Sequence, residues 1–81
     1  MAGEAIIITA AQARAARAML RWGMSEAAQK AGVAIGTLND FEKGKRKPNR
    51  STLAAIQRCY EAAGLIFTNG REPGVKMKAP G

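Results

Sequence analysis

Five basic side chains, Lys43, Lys45, Arg46, Lys47 and Arg50, fall within eight consecutive positions. Cations at that density suit phosphate oxygens, because each contact neutralises a backbone charge and releases a counterion whatever the base sequence. The bland alternative is a solubilising loop. Just upstream stand Ile35, Gly36, Thr37, Asn39 and Asp40, whose types match base edges. Ile35 or Thr37 suits a thymine methyl, Asn39 an adenine, and Asp40 the amino group of cytosine. Gly36 lets a backbone come close. A carboxylate among phosphates needs a donor, so Lys43, three residues on, is the competing partner for Asp40.

Catalytic chemistry finds no comparable cluster. The chain has no histidine, one cysteine, Cys59, and scattered carboxylates. No enzyme activity, metal or cofactor is therefore expected. Cys59 has no partner for an internal disulfide and reads as a reduced thiol packed on a helix.

Local signals say how those residues are held. Trp22 to Gly44 reads as two short helices: Gly32 stops the first in a left-handed turn, Val33 plugs the turn, and Gly44 stops the second near Lys43. Two short helices about a glycine turn form a helix-turn-helix unit, whose second helix fits a major groove. Leu38 and Phe41, three apart, should face the core, which leaves Ile35, Gly36, Thr37, Asn39, Asp40 and Lys43 outward. Ahead of this pair, Thr9 and Gln12 fit a capping box for an alanine-rich helix running to about Arg21. Its apolar face is Ala13, Ala16 and Leu20. Arg14, Arg17 and Arg21 share another face, either solvated or used for phosphates and ion pairs. Gly23 caps the second helix, with Ala27, Ala28 and Ala31 inward. Asn49, or Ser51, caps a fourth helix after Pro48, with Leu53, Ile56 and Tyr60 on one face and Gly64 at its end.

Two stretches read as strands. Residues 5–8 are β-branched and too short for a helix. Residues 65–67 and 75–78 flank turn signals at Asn69-Gly70 and Pro73-Gly74, which predicts a hairpin.

Eighty-one residues make one domain with a small core. The net charge of +7 and pI near 10.4 favour polyanions. No apolar run reaches membrane-spanning length, and residues 6–8 lack the basic start and cleavage site of a signal peptide, so a cytoplasmic location is expected.

Taken together, the residues resemble the XRE family, the helix-turn-helix group of the lambda and 434 phage repressors and Cro proteins. The match covers about residues 9–64. It rests on Trp22, Ala28, Ala31-Gly32-Val33, Thr37-Leu38, Phe41-Glu42-x-Gly44, Lys45-x-x-Pro48 and Thr52-Leu53. The resemblance implies a mainly α, four- to five-helix lambda-repressor-like domain carrying a C-terminal hairpin over residues 65–78. It implies sequence-specific binding to a double-stranded DNA operator through the third helix. It also implies a partly buried salt bridge between Arg17 and Glu42, and a minor-groove alternative for Arg50. Two positions depart from the family pattern. Gly23-Met24 replaces the usual serine and glutamine, so a phosphate at Met24 would be bound by the backbone amides at that helix start rather than by a side chain. Ala34 replaces the capping serine.

One such domain reads too few base pairs alone, so a homodimeric repressor or autoregulator on an inverted repeat is expected. The strands are the natural dimer element, through Ile6, Ile8, Leu65, Ile66, Phe67 and Val75, because the helices are expected to leave little core to cover them. The rival reading is an interaction module, an antitoxin or anti-activator working through a protein partner. An RNA-binding role is weaker, since Trp22, Phe41, Tyr60 and Phe67 mostly read as core rather than stacking platforms.

Overall fold

The computed structural model describes residues 8–69 and 72–79. The order is α1 (Ala10–Leu20), α2 (Met24–Ala31), α3 (Ile35–Glu42), α4 (Arg50–Ala62), β1 (Leu65–Thr68) and β2 (Gly74–Met77). The expected mainly helical, helix-turn-helix architecture with a C-terminal hairpin is present, with four helices among the described residues.

The helix boundaries follow local chemistry. Thr9 and Gln12 make the full capping box: the Gln12 amide donates to Thr9 Oγ1 at 3.1 Å, and the Thr9 amide donates to Gln12 Oε1 at 2.9 Å. The helix stops one residue earlier than expected. Arg21 takes the left-handed conformation at φ 59°, its amide donating to Ala18 and that of Trp22 to the Arg17 carbonyl. These bonds close the helix without a glycine. Gly32, at φ 72°, ends α2, and the Val33 amide returns to the Ala28 carbonyl at 3.0 Å. Asn49 is the cap of α4, accepting from the Thr52 amide at 2.9 Å. Ala34 precedes α3 with no side-chain cap.

The core joins α1, α3 and α4 through Ala13, Ala16, Leu38, Ile56 and Tyr60, all at most 1 % exposed. Small alanines on α1 and α2 bring the helix backbones close, and the large residues of α3 and α4 fill the space between them. Tyr60 lies between Trp22 and Phe67, its ring centroid 5.8 Å and 6.3 Å from theirs. Its hydroxyl is buried without a partner among the described residues. Burial, and then the Glu42 carboxylate, push its pKa up to about 12. An unpaired buried hydroxyl costs stability, so Tyr60→Phe is expected to be neutral or to raise stability by about 1 kcal/mol in denaturant titration. Because folding raises this pKa, the wild type should also lose stability as pH rises from about 10 to about 12. The variant should lack that loss.

The hairpin is antiparallel, pairing Leu65 with Met77, Ile66 with Lys76, Phe67 with Val75 and Thr68 with Gly74. β1 packs on α4, and β2 on α1. Leu65 and Phe67 are 2 % and 8 % exposed and belong to the chain's own core, as does Ile8 at 6 %. This corrects the expectation that the helices leave these residues uncovered as a dimer face. Inward alternation along β1 buries Leu65 and Phe67 and leaves Ile66 outside. Ile8 lies outside any strand, its amide donating to Gln57 Oε1 at 3.2 Å. The rest of the expected N-terminal strand, with Ile6, lies outside the described residues, as does Gly70 of the turn.

Candidate nucleic-acid interface

α2, the Gly32 turn and α3 form the helix-turn-helix unit. Packing of Leu38 and Phe41 into the core turns the opposite side of α3 outward. Ile35 is 51 % exposed and Gly36 is exposed, while Thr37, Asn39 and Asp40 are half-buried. The surface proposed for base reading is thus open. Asp40 forms no ion pair with Lys43 among the described residues; its carbonyl instead accepts from the Lys45 amide at 2.9 Å. That bond, with the Gly44 amide to the Phe41 carbonyl at 3.0 Å, turns the chain sharply into the basic loop.

Lys43, Lys45, Arg46, Lys47 and Arg50 are all exposed. Pro48 between them is buried and anchors the loop. A polar groove lined by Thr37, Arg46, Lys47, Pro48, Asn49 and Thr52 joins the first turn of α3 to the first turn of α4. It makes the outward face of α3 and the cationic loop one continuous surface. Thr52 was not legible as part of this site, because only the fold brings the two helix starts together. The Met24 side chain packs against the core, so it is turned away from the start of α2. Gly23 provides no side-chain cap to compete for the amides of that first turn.

Two arginines of α1 hold α3 in place. Arg17 Nε donates to Glu42 Oε2 and Arg17 Nη2 to Glu42 Oε1, both at 2.9 Å, a bidentate pair. Glu42 is nearly fully buried, whereas a quarter of Arg17 remains exposed. Hydrogen bonding to Glu42 holds the Arg17 guanidinium above its ordinary pKa. Arg17 also reaches the Trp22 carbonyl at 3.3 Å. Arg14 donates to the Glu42 backbone carbonyl, a favourable place for a cation at the negative end of α3. The arginine stripe on α1 therefore divides: Arg14 and Arg17 brace α3, and Arg21 caps its own helix.

Elsewhere, Lys30 Nζ lies 5.3 Å from the centre of the Trp22 ring. Cys59 is a free thiol whose pKa burial pushes up, against the opposing charge of Lys30. No group of three or more metal-ligating side chains occurs among the described residues. No helix among them is long and apolar enough to cross a membrane.

The family model HTH_3, Helix-turn-helix, matches residues 14–61, which take in every element from within α1 to the last turn of α4. No curated protein matches the chain.

Proposed function

The chain belongs to the HTH_3 family of XRE-type helix-turn-helix DNA-binding regulators, and from that premise we propose that it is a homodimeric repressor or autoregulator reading an inverted repeat. The observation that carries this reading is the continuity of the open face of α3 with the cationic loop. Base reading falls to Ile35, Gly36, Thr37, Asn39 and Asp40. Phosphate contacts fall to Lys43, Lys45, Arg46, Lys47 and Arg50, with the Met24 amide at the start of α2. The protein acts in the cytoplasm, at the DNA.

The second copy pairs through the hairpin rather than through Leu65, Phe67 or Ile8, which are already buried. Ile66 is 38 % exposed on the outward face of the hairpin beside Lys76, and Met77, 52 % exposed, extends the opposite face past half-buried Val75. A sedimentation mass of one chain at micromolar concentration would remove the dimer from this reading. An antitoxin-like protein partner remains the rival, and such a partner would co-purify in fixed ratio.

Titrations of duplexes selected by the protein from a random library, beside scrambled duplexes, separate the two kinds of contact. Lys47→Ala should weaken both similarly and flatten the salt slope by about one contact. Asp40→Ala should alter the order of preference among selected duplexes by about 1–3 kcal/mol while leaving the salt slope nearly unchanged. Equal effects of both substitutions on selected and scrambled DNA would overturn the assignment.

A further inference from the structure

Thr37 stands apart from its neighbours on the outward side of α3. Gly36, Asn39, Asp40 and Lys43 recur at helical spacing and form the centre of that side. Thr37 is four residues before Phe41, which is 5 % exposed in the core, so it lies on a flank of α3 rather than at the centre. There it lines the polar groove with Arg46, Lys47, Pro48, Asn49 and Thr52.

Every hydrogen-bonding side chain left open in this groove can donate. The Thr37 and Thr52 hydroxyls have no partner among the described residues. Asn49 Oδ1 already accepts from the Thr52 amide at 2.9 Å, which leaves the Asn49 side-chain nitrogen as a donor. Arg46 and Lys47 have no ion-pair partner among the described residues. No carboxylate lines the groove, and Asp40, on α3, lies one turn beyond Thr37. Pro48 is buried and favours extended backbone at Lys47, so the recess is fixed before a ligand arrives. Two cations and three neutral donors around one recess call for a group that only accepts and is negatively charged. A phosphate meets both conditions, whereas base edges present donors as well as acceptors.

We propose that this groove holds one phosphate of the nucleic-acid backbone, with the Thr37 and Thr52 hydroxyls donating to it from α3 and α4 and with Arg46 and Lys47 supplying the charge. The inference rests on the DNA-binding reading above and changes one part of it: Thr37 grips the backbone instead of a thymine methyl. A phosphate pinned beside the first turn of α3 sets which base pair Gly36, Asn39 and Asp40 meet, so the two threonines act on register.

Four single substitutions in the full chain test this. Thr37→Val and Thr52→Val remove a hydroxyl and keep the shape; Thr37→Ser and Thr52→Ser keep the hydroxyl. Each valine variant should bind selected and scrambled duplexes about tenfold more weakly, the loss of one hydrogen bond to a charged group. The salt slope should stay unchanged, because no cation is removed. Each serine variant should stay within about twofold of wild type. Amide spectra unmoved in α2 and the hairpin control for folding. Valine variants that bind every duplex as the wild type does would overturn the clamp. So would a Thr37→Ser chain that loses preference for thymine while Thr37→Val binds normally, which would return Thr37 to base reading. Inorganic phosphate, titrated at constant ionic strength with chloride as control, separates the site from its use. It should move the amides of Thr37, Arg46, Lys47 and Thr52, and duplex should move the same set. Groove amides that respond to neither would overturn the site. A response to phosphate, with duplex bound elsewhere, would make the ligand a free anion and overturn the backbone assignment. A response to phosphate in a chain that binds no duplex would leave the phosphate site standing and overturn the DNA reading instead.

Discussion

Arg17→Met is expected to destabilise the protein by about 3 kcal/mol, and adding Glu42→Leu should restore most of that loss. The reasoning turns on where the two charges sit. Glu42 is 2 % exposed, and both its carboxylate oxygens are used by Arg17. Removing the arginine strands a buried carboxylate, and breaking one side of a buried pair costs about 3–5 kcal/mol. The lower end applies because Arg17 keeps some contact with water. Removing both charges leaves an apolar pair of similar volume, which is often neutral or better. Chemical denaturation of both singles and the double variant forms the cycle that isolates the coupling. A double variant no more stable than Arg17→Met alone would show that the lost packing, rather than the stranded charge, sets the cost. The wild-type pair should hold across neutral and mildly alkaline pH. Folding raises the Arg17 pKa above its ordinary value, so its contribution is intact across that range and is lost only in strongly alkaline solution. Function should suffer before the fold is lost. The pair joins α1 to the last turn of α3, so freeing it lets the reading face tilt against the loop. Discrimination between selected and scrambled duplexes should fall more than affinity for scrambled duplex.

The helices were legible in the sequence because their ends are written locally. A threonine three residues before a glutamine, a glycine after Ala31 and an asparagine after Pro48 each satisfy or free backbone groups within a few positions. Leu38 and Phe41, by their spacing alone, give the orientation of α3 and hence its open side. What stayed hidden depends on long-range packing. Nothing near Leu65 or Phe67 says that α4 and Tyr60 will cover them, so they resembled an uncovered dimer face. Arg14 and Arg21 share a spacing, yet one reaches a carbonyl on α3 and the other caps its own helix in a conformation arginine rarely adopts. The groove joining Thr37 to Thr52 exists only once the loop has folded back. In the candidate site, then, residue types and order were readable, and the contacts between elements were not.

Gln12 is the sharpest case of such a contact. Its place in the capping box could be read from spacing, but its second role could not. The side chain is 3 % exposed. While Oε1 accepts from the Thr9 amide, Nε2 donates to the Thr68 carbonyl at 2.7 Å and to the Gly74 carbonyl at 2.9 Å. One amide therefore ties the start of α1 to both strands at the turn end of the hairpin. Gln12→Glu separates the two roles. The introduced carboxylate still accepts from Thr9, so the cap survives. It can donate to neither carbonyl at neutral pH, and it places a buried negative charge against two carbonyl oxygens. A loss of about 2–4 kcal/mol is expected at pH 7, from two broken bonds and the uncompensated charge. Amide exchange should quicken along both strands while α2 and α3 stay protected. Burial and the two carbonyls favour the neutral acid, so folding raises the pKa of the introduced group. The variant should then regain stability as pH falls towards about 4.3, the ordinary glutamate value, where a neutral carboxyl can donate one bond. Gln12→Ala, which lacks both roles, should show no such recovery. If Gln12→Glu instead tracks the alanine variant at every pH, neither the retained cap nor the bond that the neutral acid regains contributes measurably.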